Sequence, residues 1–297
     1  MKNAANPFLQ AARAGENALW RYILTLVIAW SLALLAGACP QMVFLAQAYA
    51  RGEPVTSMSD FSAEPGYLAV SVLISSLGLI AGLWFGMRTL HRRSFSMLIY
   101  PGRSFRWRWL ALSAAIWLAL SVGGDAALAF LRPGSYQFIF EPQKLIPYAL
   151  LALVFIPVQI VSEELLFRGY LTQAFGLPGG FWAAWIVPAV WFGLLHWPNP
   201  EVSAYGALWT MPVYIGMGLL LGWVTLRSGG LELALGMHLA NNLYGTLLVS
   251  APSSALPAPA LVRVVEYHAP VVLGVFVVMA LAFAWVTRKF FIPTSSG

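Results

Sequence analysis

Residues 145–171 read LIPYALLALVFIPVQIVSEELLFRGYL. A bilayer crossing takes about 20 mostly apolar residues, and this stretch supplies them. It is too long for a barrel strand, and lipid leaves a spanning backbone few choices besides the helix. Yet Glu163, Glu164 and Arg168 stand near its end. Each ionisable group inside a span costs about 2.5–3.5 kcal/mol even on a lenient insertion scale. An apolar helix that carries three of them in one stretch has a use for them.

The rest of the chain agrees with a membrane setting. Of 297 residues, 60% are hydrophobic and 9% charged, and the mean hydropathy is +0.74. A soluble domain carries about 25% charged residues; a globule this poor in charge would expose large apolar patches. Disorder, collagen, coiled coil and a disulfide scaffold are excluded, the last because Cys39 is the single cysteine. Eight stretches qualify as spans, at about 22–49, 66–88, 109–131, 145–171, 180–197, 205–227, 231–250 and 269–290. The fold expected is an all-α polytopic bundle, with a kink or tilt at Pro40 in its first span. Residues 1–21 form an amino-terminal segment in which a short amphipathic interfacial helix is expected. Residues 22–144 hold three flanking spans, 145–250 a core of four, and 251–297 the last loop, the eighth span and the tail.

The net charge of +6 suggests nucleic acid until the basic residues are sorted by side. With the amino terminus inside, twelve fall inside and four (Arg51, Arg132, Lys144 and Arg263) outside, as the positive-inside rule requires. Both termini are therefore expected in the cytoplasm. The loop 88–108 holds six of the inside arginines and reads as an orientation anchor that touches anionic lipids. No nucleic-acid partner is expected.

The ionisable groups within spans are Asp125, Glu163, Glu164, Arg168, His196 and His238, joined by the amide of Asn242. Glu164 and Arg168 are four apart and share a helix face, so they can pair. Glu163 is turned about 100° away and lacks that partner. Neighbouring carboxylates in unlike environments often mark acid–base chemistry; the competing account is a buried Glu–Arg clamp that packs two helices. His196, taken alone, reads as a histidine bonded to a backbone carbonyl. His238 and Asn242 are also four apart. Either both are interhelical glue, or they aim two donors at one developing oxyanion. Asn241 faces elsewhere and reads as an interhelix hydrogen bond.

A bend at Gly176–Gly180 would let these groups meet. Glu163 lies 13 residues before Gly176 and His196 16 after Gly180, or roughly 20 and 24 Å from the bend at 1.5 Å per residue. An antiparallel hairpin brings them to similar depth in the cytoplasmic half. Cutting the fifth span at its apolar edges would instead put His196 near the outer surface.

Glu163-Glu164-x-x-x-Arg168, then Phe192-x-x-x-His196, then His238-x-x-x-Asn242 resemble, in order and each complete, the three signatures of the CPBP family. This family comprises the intramembrane CAAX proteases and bacteriocin-processing proteins, Rce1-type prenyl-protein proteases and bacterial Abi proteins among them. The resemblance covers about residues 145–250. It implies peptide-bond hydrolysis of a membrane-associated protein or peptide. Glu163 would activate a water with help from His196, Glu164 would be held by Arg168, His238 and Asn242 would stabilise the oxyanion, and Phe192 would pack against the site. The family has also been read as a metalloprotease family, which would make Glu163, His196 and His238 ligands of Zn²⁺. The chain has no His-Glu-x-x-His, and its spacing decides nothing between the two. The leading expectation is metal-free general-base catalysis with no cofactor.

Ser162 and Asp125 read as structural, the latter bonded to backbone or to Arg132, and Cys39 has nothing nearby to activate it. Compact loops point to a bacterial inner-membrane protein. Two other classes compete with the hydrolase: a non-catalytic membrane scaffold or immunity-type regulatory protein, and a small transporter that uses the buried charges as a proton relay. Three intact ionisable positions favour catalysis over a scaffold, and the missing repeat symmetry disfavours a transporter.

Overall fold

The computed structural model describes residues 6–53 and 65–292. The expectations for residues 1–5, which include Lys2, and for the tail beyond 292 lie outside the described residues. Ten α-helices lie within these limits: α1 (Pro7–Gln10), α2 (Leu19–Ala50), α3 (Pro65–Phe85), α4 (Trp107–Leu131), α5 (Pro142–Glu164), α6 (Thr172–Leu195), α7 (Pro200–Tyr205), α8 (Ala207–Ser228), α9 (Glu232–Leu243) and α10 (Ala269–Phe290). Among the described residues, six helical runs are long and apolar enough to cross a membrane. The result is an all-α polytopic bundle.

The α2–α3 pair is an antiparallel hairpin closed by small residues. Gly78, Gly82 and Gly86 stand against Leu32, Ala29 and Thr25 respectively, and a Cβ at Gly78 would come within 2.6 Å of the Leu32 carbonyl oxygen. Close backbone approach replaces the hydrophobic drive that lipid cannot supply between helices. Helix α2 runs through Pro40 without interruption.

From Pro142 to Leu195 the chain is helical for 54 residues, about 80 Å at 1.5 Å per residue, far more than a bilayer core of about 30 Å. Two features break it. A π-helical stretch, Leu165–Leu171, follows α5, and within α6 Gly180 adopts φ 68°, ψ −161°. That backbone region is essentially reserved for glycine. The chain folds back there: Thr172 Oγ1 donates to the Ala184 carbonyl at 3.3 Å, and the Phe167 and Phe192 rings meet edge to face at 5.2 Å. The turn is thus Gly180 alone. Gly176, expected in the bend, lies within the helix, where its missing side chain admits Leu9 and Ala184.

The stretch 231–250, expected as the seventh span, is instead the short α9, one π-helical turn Tyr244–Leu248 and strand β2 (Val249–Ser250). Its twelve α-helical residues reach about 18 Å before the π-helical turn continues them. Helix α9 packs on α4, α5 and α8, and its residues 232–238 are all buried. Hydropathy does not separate a core helix from a span, because both are apolar all round.

Strand β3 (Val262–Val264) pairs antiparallel with β1 (Tyr136–Phe138) and parallel with β2, tying together the ends of α4, α9 and α10. Strands of two or three residues carry too little alternation to be read from sequence. Residues 7–14 form a short helix, α1 continued by a 3-10 turn, that packs on the bundle. Asn6 caps Phe8 at 3.0 Å and donates to the Leu226 carbonyl at 2.8 Å, and Phe8, Leu9 and Ala12 are buried in the bundle.

The arginines of the basic loop divide in two. Arg88, Arg92 and Arg108 are exposed. Arg93 is buried, while Arg103 and Arg106 turn inward onto the fully buried Glu232.

Candidate active site

The Gly180 hairpin brings Glu163 and His196 to one level. Glu163 and His196 lie nearly equidistant from Gly180 along the chain, on opposite limbs, and interact electrostatically. The outer-surface placement of His196 is therefore excluded relative to Glu163.

The two carboxylates divide as their spacing implies. Glu164 and Arg168 are 0% and 1% exposed and pair at 2.9 Å. The oxygen that accepts from Arg168, Oε1, also accepts from His238 Nδ1 at 2.8 Å. Glu163 keeps 20% of its side chain exposed, with Oε2 3.8 Å from His238 Nε2. Its Oε1 accepts from Gln159 Nε2 at 3.1 Å. Glu164 is thus a fixed post between two helices, and Glu163 faces the space beside it. The π-helical stretch begins immediately after this pair, as such segments often do at functional sites.

Both histidines are oriented through Nδ1. That of His196 is 2.7 Å from the Phe192 carbonyl oxygen, an acceptor only, so Nδ1 carries the proton and the neutral ring presents a lone pair at Nε2. The carbonyl bond that an isolated histidine would make is here the device that fixes its tautomer. His238 Nδ1 likewise donates to the Glu164 carboxylate. Its Nε2 therefore donates only when the ring carries both protons.

Phe192 is the shared wall. Its ring lies 4.5 Å from His196 and 6.0 Å from His238, with the Arg168 guanidinium 4.2 Å from its centroid. On its other side His196 stacks on Tyr214 at 4.4 Å and 26°. The Tyr214 hydroxyl accepts from Asn199 at 3.0 Å and donates to Glu201. Sequence reasoning missed Gln159 and Tyr214. Gln159 had a signal, an amide four residues before Glu163 in an otherwise apolar run; an aromatic in an apolar helix gives none.

Asn242 accepts through Oδ1 from Asn241 at 3.1 Å, which reserves its amide nitrogen for donation. Asn241 in turn accepts from Trp117 at 3.2 Å, the interhelix bond expected of it. Asp125 is not bound to Arg132. It accepts from the hydroxyls of Tyr136 at 2.7 Å and Tyr244 at 2.6 Å, and Arg132 donates to His268 at 2.9 Å. Two tyrosines from the strand β1 and the turn after α9 reach the carboxylate because tertiary packing delivers them. Ser162 donates to the Gln159 carbonyl at 2.7 Å.

Among the described residues, no three His, Cys, Asp or Glu side chains converge closely enough to hold a metal ion. Glu163, His196 and His238 share a site without forming a closed ligand set. Gln159 Oε1, Glu163 Oε2, Glu164 Oε2 and Arg168 Nη2 are buried without hydrogen-bond partners. Polar atoms left so in an apolar bundle are suited to a site that admits water or a polar substrate.

Residues 142–244, which contain every residue of this site, match the family described as type II CAAX prenyl endopeptidase Rce1-like. The uncharacterised protein YyaK of Bacillus subtilis (strain 168) is 27% identical over 255 residues, 81% of each chain. No solved structure matches. Its six apolar runs mark the chain as an integral, multi-pass membrane protein, and its residues 142–244 are similar to the Rce1-like family.

Proposed function

We propose that the protein is an intramembrane endopeptidase that hydrolyses a peptide bond of a membrane-associated protein or peptide with a water activated by Glu163. The observation that carries this is the division of labour between adjacent carboxylates. Glu164 is locked by Arg168 and His238, whereas Glu163 keeps an oxygen free of hydrogen bonds beside His238 Nε2.

Glu163 takes a proton from the water as its oxygen attacks the scissile carbonyl carbon, with the His196 Nε2 lone pair holding the water's second hydrogen. The carbonyl oxygen, now an oxyanion, is met by the Asn242 amide and by His238 Nε2–H in the doubly protonated ring. A preorganised donor of this kind is worth about 3–4 kcal/mol. Glu163 then returns its proton to the departing amine nitrogen as the C–N bond breaks. Residues 145–250 form the working core, and Arg88, Arg92 and Arg108 meet anionic headgroups of a bacterial inner membrane.

The test is turnover of a quenched fluorogenic peptide by purified protein. Wild type should cleave it, while Glu163→Gln and His196→Ala remain folded and inactive. Undiminished cleavage by Glu163→Gln would refute the mechanism.

A further inference from the structure

A second feature adjoins Glu163 from the lipid side. An open-sided groove of about 390 Å³ lies between α2, α3 and α5 and ends at Glu163 and Gln159. Pockets for ligands commonly run to about 300–1,000 Å³. Its walls change character relative to the rest of α2 and α3. Gln41 of α2 and Ser75 and Ser76 of α3 line it, with Leu34 forming a rim. Both helices belong to runs apolar enough to span a membrane, so the open side faces acyl chains. Hydroxyls and amides presented there are costly unless something polar meets them. At the inner end, Gln159 Oε1 is buried without a partner.

We infer that this groove receives an extended stretch of substrate backbone from the bilayer side and leads it to Glu163. Each residue of an extended peptide carries an unpaired N–H and C=O, the complement of the hydroxyls of Ser75 and Ser76 and the amide of Gln41. An intact helix has no such groups to offer, and an acyl chain would leave the serines and glutamines unmet. The substrate segment is therefore membrane-embedded and locally unwound. Gln159 sits where groove and Glu163 meet, and holds the carboxylate's Oε1 while Oε2 stays available. The assignment rests on the peptidase activity proposed above.

The experiment separates the two. Full-length Glu163→Gln protein in lipid nanodiscs would carry Leu34→p-benzoylphenylalanine or Leu35→p-benzoylphenylalanine. These neighbours are 68% and 70% exposed, but only Leu34 lines the groove. The probe is a biotinylated synthetic membrane-spanning peptide with a Gly-Gly-Ser-Gly break at its centre. Photo-adducts are expected from position 34 at about tenfold the yield from position 35. Ala38→Trp, which fills the groove, should suppress them and raise KM for the cleaved peptide about tenfold with kcat retained. Equal or absent adducts at the two positions, or unchanged KM in Ala38→Trp, would overturn the groove. So would labelling from position 34 by a biotinylated fatty-acyl probe in place of the peptide. Adducts at 34 without any wild-type turnover would leave the groove standing and remove the peptidase; turnover without adducts would do the reverse.

Discussion

Glu232 and Glu164 are both fully buried and both meet arginine, yet their surroundings differ in kind. Glu232, the first residue of α9, accepts from Arg103 Nη2 at 2.9 Å and from Arg106 Nη2 at 3.1 Å. It also accepts from Arg103 Nη1 and from Arg106 Nε and backbone N–H. The spare guanidinium hydrogens go to the carbonyls of Gly229 and Ser228. No side-chain atom of this cluster is left buried and unpaired among the described residues. Around Glu164, by contrast, one oxygen takes both Arg168 and His238, and four buried polar atoms go unmet. A buried ion pair built for cohesion saturates its hydrogen bonds, because an orphaned group costs about 1–3 kcal/mol. A site that retains such orphans reserves them for water and substrate. Charge inside the membrane therefore does not identify a working site by itself; the candidate site adds unmet atoms on acids that stand beside imidazoles.

The sharpest way to break this contrast is Glu163→Gln. It keeps the shape and the Gln159 contact and removes the base, and should lower peptide turnover by about 10³-fold or more at an unchanged melting temperature. Next come the two buried acids. Glu164→Ala and Glu232→Ala should each destabilise by about 3–5 kcal/mol, the cost of stranding a buried charge, read as a fall in detergent melting temperature. Only Glu164→Ala should also lose turnover per folded molecule, because His238 is released. Equal loss of turnover in both would erase the distinction.

A third comparison uses pH. His91, just beyond the end of its span, is buried, donates Nδ1–H to the Glu16 carbonyl and accepts from the Tyr170 hydroxyl, both at 2.8 Å. Loss of hydration on burial holds its imidazole down to about 4 against a usual 6.5. The unfolded chain takes up the proton first. Stability is therefore complete above about pH 6.5 and lost as pH falls towards 4, by up to about 3 kcal/mol. His91→Phe should flatten that slope in melting curves between pH 7.5 and 4.5. The smallest effect is at Tyr214. Tyr214→Leu removes the ring stacked on His196 and should lower kcat about tenfold through misplacement, while Tyr214→Phe keeps the stack and most of the rate.

Much of the site was legible because charge is conspicuous in an apolar run. Glu163, Glu164, Arg168, His196 and His238 stood out on cost alone, and helix periodicity separated the two glutamates correctly. Gln159 was equally readable by the same spacing. Tyr214 was not, since its role comes from packing against another helix. Nor were the tyrosine partners of Asp125, which strand β1 and the turn after α9 deliver. The inward turn of Arg93, Arg103 and Arg106 was not legible either, because positive charge near a membrane reads as an anchor whichever way the side chains turn.

Composition and periodicity by themselves determined a helical membrane protein and the Glu164–Arg168 pair, since both follow from solvent and from contacts one helical turn apart. Only the tertiary structure decided that Gly180 alone folds the long helix back, that His238 shares an oxygen of Glu164 with Arg168, and that residues 232–238 of α9 are enclosed. Those facts depend on one glycine's backbone angles and on how separate helices pack. Neither leaves a trace in the order of residues along a single element.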